Sequence, residues 1–236
     1  MRIFVASTGR CGTRFMTDVF SLMTDIPSFH ENAPYCIGQT SKDINNFSMS
    51  SESRKIIEEK IAKVECYQDG YFEANNMFIK SFGWEFIDRF DDLYVIYLHR
   101  NPLDTFLSHA ERGWKLGWDW LLQPHWKRNY LRCEEGMTYL EAIMWNWYEV
   151  RERFFQLKSV FAKTYDFDFR RIEDIDEYRK MFNHFGIEYK DIDELPPLRK
   201  NENKAGAPVS DRYLEIISDL NKKWDAQGIE WVFEDK

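Results

Sequence analysis

Cysteine is sparse in this chain. The four present, Cys11, Cys36, Cys66 and Cys133, form no CxxC pair and have no metal-ligand spacing, which argues against a disulfide scaffold and a zinc site. Glycine (11) and proline (7) are too few for a collagen-like or low-complexity chain. Positive charge is in deficit: 32 Lys and Arg against 40 Asp and Glu leave a net charge of −8. A broad nucleic-acid-binding surface is therefore not expected, though a local basic pocket is allowed. No apolar run approaches the ~20 residues that span a bilayer, so no membrane partner is expected. The opening Met1–Ala6 shows no positive head, long apolar stretch or small-residue cleavage site. The reading is of a cytoplasmic chain with reduced thiols.

What is present suits one globular domain, residues 1–236: 44% hydrophobic and 31% charged, with aromatics at 17% including nine Trp. Arg2–Ala6 reads as a buried strand, Ser7–Gly12 as a small-residue loop and Thr13–Met23 as a helix. Ser28–Glu31 is a short second-strand candidate, Ala33–Ser50 a loop rich in Asn, Ser and Gly, and Ser51–Cys66 an amphipathic helix. Asn76–Ser81 reads as a strand and Trp84–Phe90 as a short helix. Asp92–Leu98 is the strongest strand signal, broken by His99-Arg100-Asn101-Pro102, with Pro102 suited to open the next helix. Thr138–Leu157 reads as a long helix, Val160–Tyr165 as a strand and Asp174–Phe185 as a helix ended by Gly186. Asp191–Pro208 reads as a loop and Val209–Gln227 as a last helix. Alternating strands and helices predict an α/β fold, three layers α/β/α around a mainly parallel sheet.

Two segments carry chemistry. Ser7-Thr8-Gly9-Arg10-Cys11-Gly12-Thr13-Arg14 joins the first strand to the first helix. A helix N-terminus presents unpaired N–H groups at a positive dipole end. Glycines let the backbone close around an anion, Thr13 adds a hydroxyl, and Arg10 and Arg14 add charge-assisted donors. The loop is not G-x-x-x-x-G-K-[ST], because Gly12 is followed directly by Thr13 and the phosphate-reaching Lys is missing. That disfavours an NTPase or ordinary kinase. The second segment ends a strand with Arg100, whose guanidinium can grip a phosphate through two parallel bonds. Ser108, about two turns into the next helix, can donate to the same anion.

These segments resemble, in the same order, the donor-binding motifs of sulfotransferases that use 3′-phosphoadenosine-5′-phosphosulfate (PAPS). Arg10-Cys11-Gly12-Thr13-Arg14 resembles the 5′-phosphosulfate loop, a basic residue followed by Ser-Gly-Thr-Thr. Cys11 stands for the usual Ser and Arg14 for the second Thr. Arg100-Asn101-Pro102 with Ser108 resembles the strand-ending Arg-[Asn/Asp]-Pro and later Ser that bind the 3′-phosphate. The resemblance implies a P-loop-like sulfotransferase fold and PAPS as donor co-substrate, with no metal required. It places Tyr165 near the adenine, and Arg199 and Lys200 in a late loop closing over the 3′-phosphate, although Asn201 replaces the usual Gly. Lys80 takes the place of a strand-end Lys that faces the bridging oxygen of the leaving group.

Transfer also needs a group that takes the acceptor's proton. Glu31 resembles the catalytic Glu of the tyrosylprotein and heparan branches. His30 is the rival, because an imidazole titrates near neutrality. The implied acceptor is a hydroxyl or amine of a small molecule or carbohydrate. The Trp-rich segment at about 113–133 reads as a lid whose aromatic faces either pack on the long helix or meet that acceptor. Two other functions stay open: a P-loop kinase of a small substrate, and a non-catalytic nucleotide-binding protein.

Overall fold

The computed structural model describes residues 1–110, 121–123, 125–131, 137, 139–198, 215, 218, 219 and 222. Five strands form one sheet: β1 (Arg2–Ala6), β2 (Ser28–His30), β3 (Tyr71–Ala74), β4 (Leu93–His99) and β5 (Lys163–Asp168), in the order β2-β3-β1-β4-β5. Every pairing is parallel. The helices are α1 (Thr13–Met23), α2 (Gly38–Asn46), α3 (Ser51–Glu65), α4 (Met77–Lys80), α5 (Gly83–Ile87), α6 (Pro102–Ala110), α7 (Tyr139–Leu157) and α8 (Ile175–Phe185).

Strand alternation sorts side chains into two cores. Ile3 and Val5 of β1 pack with Phe15, Met16 and Phe20 of α1 and with Tyr178 and Phe182 of α8. Phe4 and Ala6 face the opposite layer, with Ile57 and Ile61 of α3, Phe78 of α4, Phe86 of α5 and Phe154 of α7. The result is the expected three-layer α/β/α arrangement, with both sheet faces covered, as parallel strands require. Phe4 illustrates the packing: its ring stacks on Phe78 at 4.5 Å and meets Phe86 edge-on at 5.3 Å.

β1 lies between β3 and β4, so the chain leaves β1 toward one side of the sheet and later returns to the other. Such a reversal opens a crevice beyond the strands' carboxyl ends. The loop after β1 opens onto it.

Three expected boundaries move. Residues 38–46 are helical, not loop. The buried side of α2 is polar (Thr40, Ser41, Asp43, Asn45), which hides its periodicity. Asn45 donates to Lys80 O at 2.9 Å, and Asp43 accepts from Ser50 and Ser53 at the start of α3. The third strand is Tyr71–Ala74, and residues 77–80 form a helical turn instead. Asn75 Oδ1 accepts from Met77 N at 2.9 Å, and Ser81 N donates to Met77 O at 2.8 Å. Glu73 in mid-strand masks that strand's apolar character. The fifth strand begins at Lys163, not Val160; residues 158–160 make a 3-10 turn with Val160 exposed. The expected last helix lies almost wholly outside the described residues.

The layers are tied by a buried cation. Arg153 of α7 is fully buried with Glu149, Nε to Oε1 at 2.8 Å. Its other nitrogens reach Lys80 O at 3.0 Å and the side chains of Asn45 and Asn129, both at 2.8 Å. Glu149 also accepts from the backbone of Tyr130 and Leu131. Removing one member of a buried pair strands the other charge, at a cost of about 3–5 kcal/mol. Arg153→Met should therefore lower the urea-unfolding free energy by roughly that amount. Glu149→Gln with Arg153→Met together should recover part of the loss, since no buried charge is then left alone.

Candidate functional site

The loop between β1 and α1 turns through three left-handed residues, Gly9 (φ 85°), Arg10 (φ 61°) and Gly12 (φ 79°). Gly12 caps α1 without a side-chain hydrogen bond, and the first turn holds no acidic residue. The helix's first donors therefore get no help from its own side chains. A Cβ at Gly12 would stand 3.0 Å from the Phe169 ring and 3.3 Å from Ile172, so glycine is required there by both φ and space. Cys11 is fully buried, and its Sγ lies 3.1 Å from Gly9 O and 3.3 Å from Thr8 Oγ1. Burial pushes its thiol pKa up. The Cys in place of Ser thus braces the loop from inside rather than offering a hydroxyl outward.

The structure brings the second segment onto the first. Arg10 Nε donates to Ser108 Oγ at 3.2 Å, and Arg100 donates to Arg10 O at 3.4 Å. Arg100 follows β4 directly, lies over the Phe169 ring at 4.6 Å, and is 4.0 Å from Asp104. Its Nε is buried with no hydrogen-bond partner. Trp147 of α7 donates to Arg100 O at 3.0 Å and fixes the strand's end. Arg14 is exposed at the rim.

The ends of β2 and β3 supply the rest. His30 Nε2 lies 3.1 Å from Thr13 Oγ1. Burial pulls the His30 pKa down, against Glu31, Asp18 and Glu73, which raise it, and with Arg14, which lowers it further. Glu31 has φ 49°, is half-buried, and accepts from Asn76 Nδ2 at 2.9 Å through Oε1. Lys80 is buried, donates to Thr8 O at 2.9 Å and lies 3.4 Å from Asn76 Oδ1. It closes a helical turn rather than a strand, yet that turn carries it under the loop. Burial lowers its pKa to about 7, against Cys11 and Glu31, which raise it.

Not every expected residue joins this cluster. Tyr165 sits in the middle of β5, three residues before its end, with its OH donating to Glu177 of α8 at 2.7 Å. The ring against the loop is Phe169, in the turn after β5. Arg199, Lys200 and most of the Trp-rich segment lie outside the described residues; Trp126, which is described, is buried. Sequence reasoning missed Phe169 and Asn76, and gave Thr8, within the loop it singled out, no role of its own. Only a correct placement of β3 at Tyr71–Ala74 would have put Asn76 at a strand's carboxyl end.

Among the described residues no helix is long and apolar enough to cross a membrane. No family model matches the sequence, and no curated protein matches it. Among solved structures the chain is similar to a sulfotransferase domain from the Synechococcus PCC 7002 olefin synthase, at 12% identity and a TM-score of 0.49, covering 98% of this chain and 88% of that one. So distant a likeness assigns no chemistry to these residues.

The Lys80 amine is directly observable. Its side-chain NMR signal should titrate with a midpoint near 7. An unfolded chain holds that proton up to about 10.4, so between these values the unfolded state binds more protons and stability rises with pH. Lys80→Met should abolish that rise in a comparison of unfolding curves; an unchanged slope would refute the burial argument.

Proposed function

We propose that this chain is a sulfotransferase that moves a sulfuryl group from PAPS to a hydroxyl or amine of a small-molecule or carbohydrate acceptor. The observation that carries the reading is the meeting of Arg10, Ser108 and Arg100 over a left-handed glycine loop at the head of α1. The residues fit a doubly anionic nucleotide. The loop turns through left-handed Gly9, Arg10 and Gly12 at the head of α1, and the buried Arg100 Nε has no hydrogen-bond partner there.

When bound, PAPS supplies an activated sulfuryl group, whose departure leaves 3′,5′-diphosphoadenosine. The loop N–H groups, Thr13, Arg10 and Arg14 hold the 5′ side, and Arg100 with Ser108 holds the 3′-phosphate. Arg10 and Ser108 touch each other here, so occupation exchanges that bond for bonds to the two anionic ends. The Phe169 ring, with Arg100 over it, is the aromatic group beside the loop. Lys80, beneath Thr8, places positive charge where the departing phosphate gains negative charge. Glu31 accepts the acceptor's proton. Sulfuryl transfer then rests on alignment and fixed charge.

Calorimetry with 3′,5′-diphosphoadenosine against ATP is the test. The bisphosphate should bind and ATP should bind far more weakly; the reverse order would replace this reading with a kinase. Arg100→Ala should weaken bisphosphate binding by roughly 10–100-fold, the worth of charge-assisted hydrogen bonds of about 1.5–3 kcal/mol. Glu31→Gln should leave that binding intact while labelled-sulfate transfer collapses. Tight bisphosphate binding with no transfer to any of a panel of sugars, phenols and amines would mark a nucleotide-binding protein without turnover.

A further inference from the structure

Asn76 is the first side chain beyond Asn75 at the carboxyl end of β3, and its amide is held at both ends by charged groups. Nδ2 donates to Glu31 Oε1 at 2.9 Å, and Oδ1 faces Lys80 Nζ at 3.4 Å. The orientation of the amide is dictated by its neighbours. Reversed, it would aim an NH2 at an ammonium and a carbonyl at a carboxylate, so both contacts would turn repulsive. From above, the loop passes close to the same group: a Cβ added at Gly9 would lie 3.7 Å from Asn76 Cγ. One planar amide therefore spans the end of β2, the turn of α4 and the loop after β1.

The anchors on either side are rigid. Lys80 donates to Thr8 O at 2.9 Å, and its own carbonyl accepts from Arg153 and Asn45. Glu31 takes a left-handed backbone conformation, with its N–H donating to Ala74 O at 3.1 Å. The next N–H, of Asn32, donates to the buried Glu73 at 2.9 Å, which is paired with the buried Lys60 at 2.8 Å. Among the described residues, nothing donates to Glu31 Oε2. Holding Oε1 in place leaves Oε2 as the oxygen free to receive a proton.

We propose that Asn76 is a positioning residue that clamps Glu31 and Lys80 at a fixed separation beneath the loop, so that the proton-accepting carboxylate and the cation serving the leaving group face the reacting centre together. This rests on the proposed function, in which those two residues carry these roles. The amide itself neither gains nor loses a proton. Its contribution is orientation, and a lapse in orientation falls on turnover rather than on donor affinity.

The test uses the full chain with Asn76→Ala and the isosteric Asn76→Asp. Asn76→Asp sets a carboxylate against Glu31 and beside Lys80. The NMR titration midpoint of Lys80 should then rise by about one unit or more, because an added anion at that distance favours the ammonium. An unmoved midpoint in the folded variant would overturn the clamp, and this readout needs no turnover. Asn76→Ala should keep the dissociation constant for 3′,5′-diphosphoadenosine within about twofold and lower kcat by roughly tenfold or more. In a Glu31→Gln background it should cost almost nothing further, because residues acting as a unit are non-additive. A full, additive loss in that background, or a weakened bisphosphate affinity with normal kcat, would assign Asn76 a merely structural part. If the wild-type chain transfers no sulfate at all, the proposed function falls alone, and the Lys80 titration still decides whether the clamp exists.

Discussion

The carboxyl edge of the sheet depends on cations sunk where water does not reach them. Lys60, Lys80 and Arg153 are each at most 1% exposed. An unpaired charge in such a place is untenable, so each must be met by a carboxylate or by several oxygens. Lys60 answers to Glu73, and Arg153 to Glu149, two asparagines and a backbone carbonyl. Lys80 is met by the Thr8 carbonyl and the Asn76 amide. The obligation to satisfy these three groups draws α2, α3, α4, α7 and the loop after β1 into one arrangement.

The loop's shape follows from a second constraint. Left-handed residues cost free energy unless they are glycine, and Arg10 is not. Its conformation is held by contacts on both sides: its guanidinium reaches Ser108, and its carbonyl accepts from Arg100. Strain at Arg10 is thus tied to the residues that the proposed chemistry needs. The switch in strand order at β1 places the ends of β1 and β4 side by side, so that a loop and an arginine ninety residues apart in the chain come within a hydrogen bond.

The parallel α/β architecture and most helices were legible because their periodicity is carried by apolar residues: Phe15, Met16, Val19 and Phe20 in α1, or Val95, Ile96 and Leu98 in β4. Misreadings arose where burial is polar. Glu73 belongs to a buried strand only because Lys60 meets it, and nothing local in the sequence announces a partner thirteen residues away. Helix α2 buries Ser41, Asp43 and Asn45, which composition alone assigns to a loop. For the site, the arginines, glycines and Ser108 could be found by residue type and order. Asn76 and Phe169 could not, because their relevance comes from where β3 and β5 end: the sequence reading ends these strands at Ser81 and Tyr165, whereas they end at Ala74 and Asp168.

The same local chemistry bears on the choice of proton acceptor. Thr13 has one hydroxyl hydrogen, and in this structure its oxygen lies 3.1 Å from His30 Nε2. In a neutral imidazole, either Thr13 donates to Nε2 or Nε2 carries the hydrogen and donates to Thr13. If the hydroxyl turns its hydrogen toward an anion in the loop, Nε2 must be the donor, and that nitrogen has no lone pair left for an incoming proton. The roles of Thr13 as anion donor and of His30 Nε2 as base therefore exclude each other. Glu31 carries no such conflict. Its Oε1 is engaged by Asn76, and its Oε2 accepts nothing from the described residues. Under the proposed chemistry, a His30 that orients the loop hydroxyl through Nε2 cannot take the acceptor's proton at that nitrogen, whereas Glu31 Oε2 is open to it.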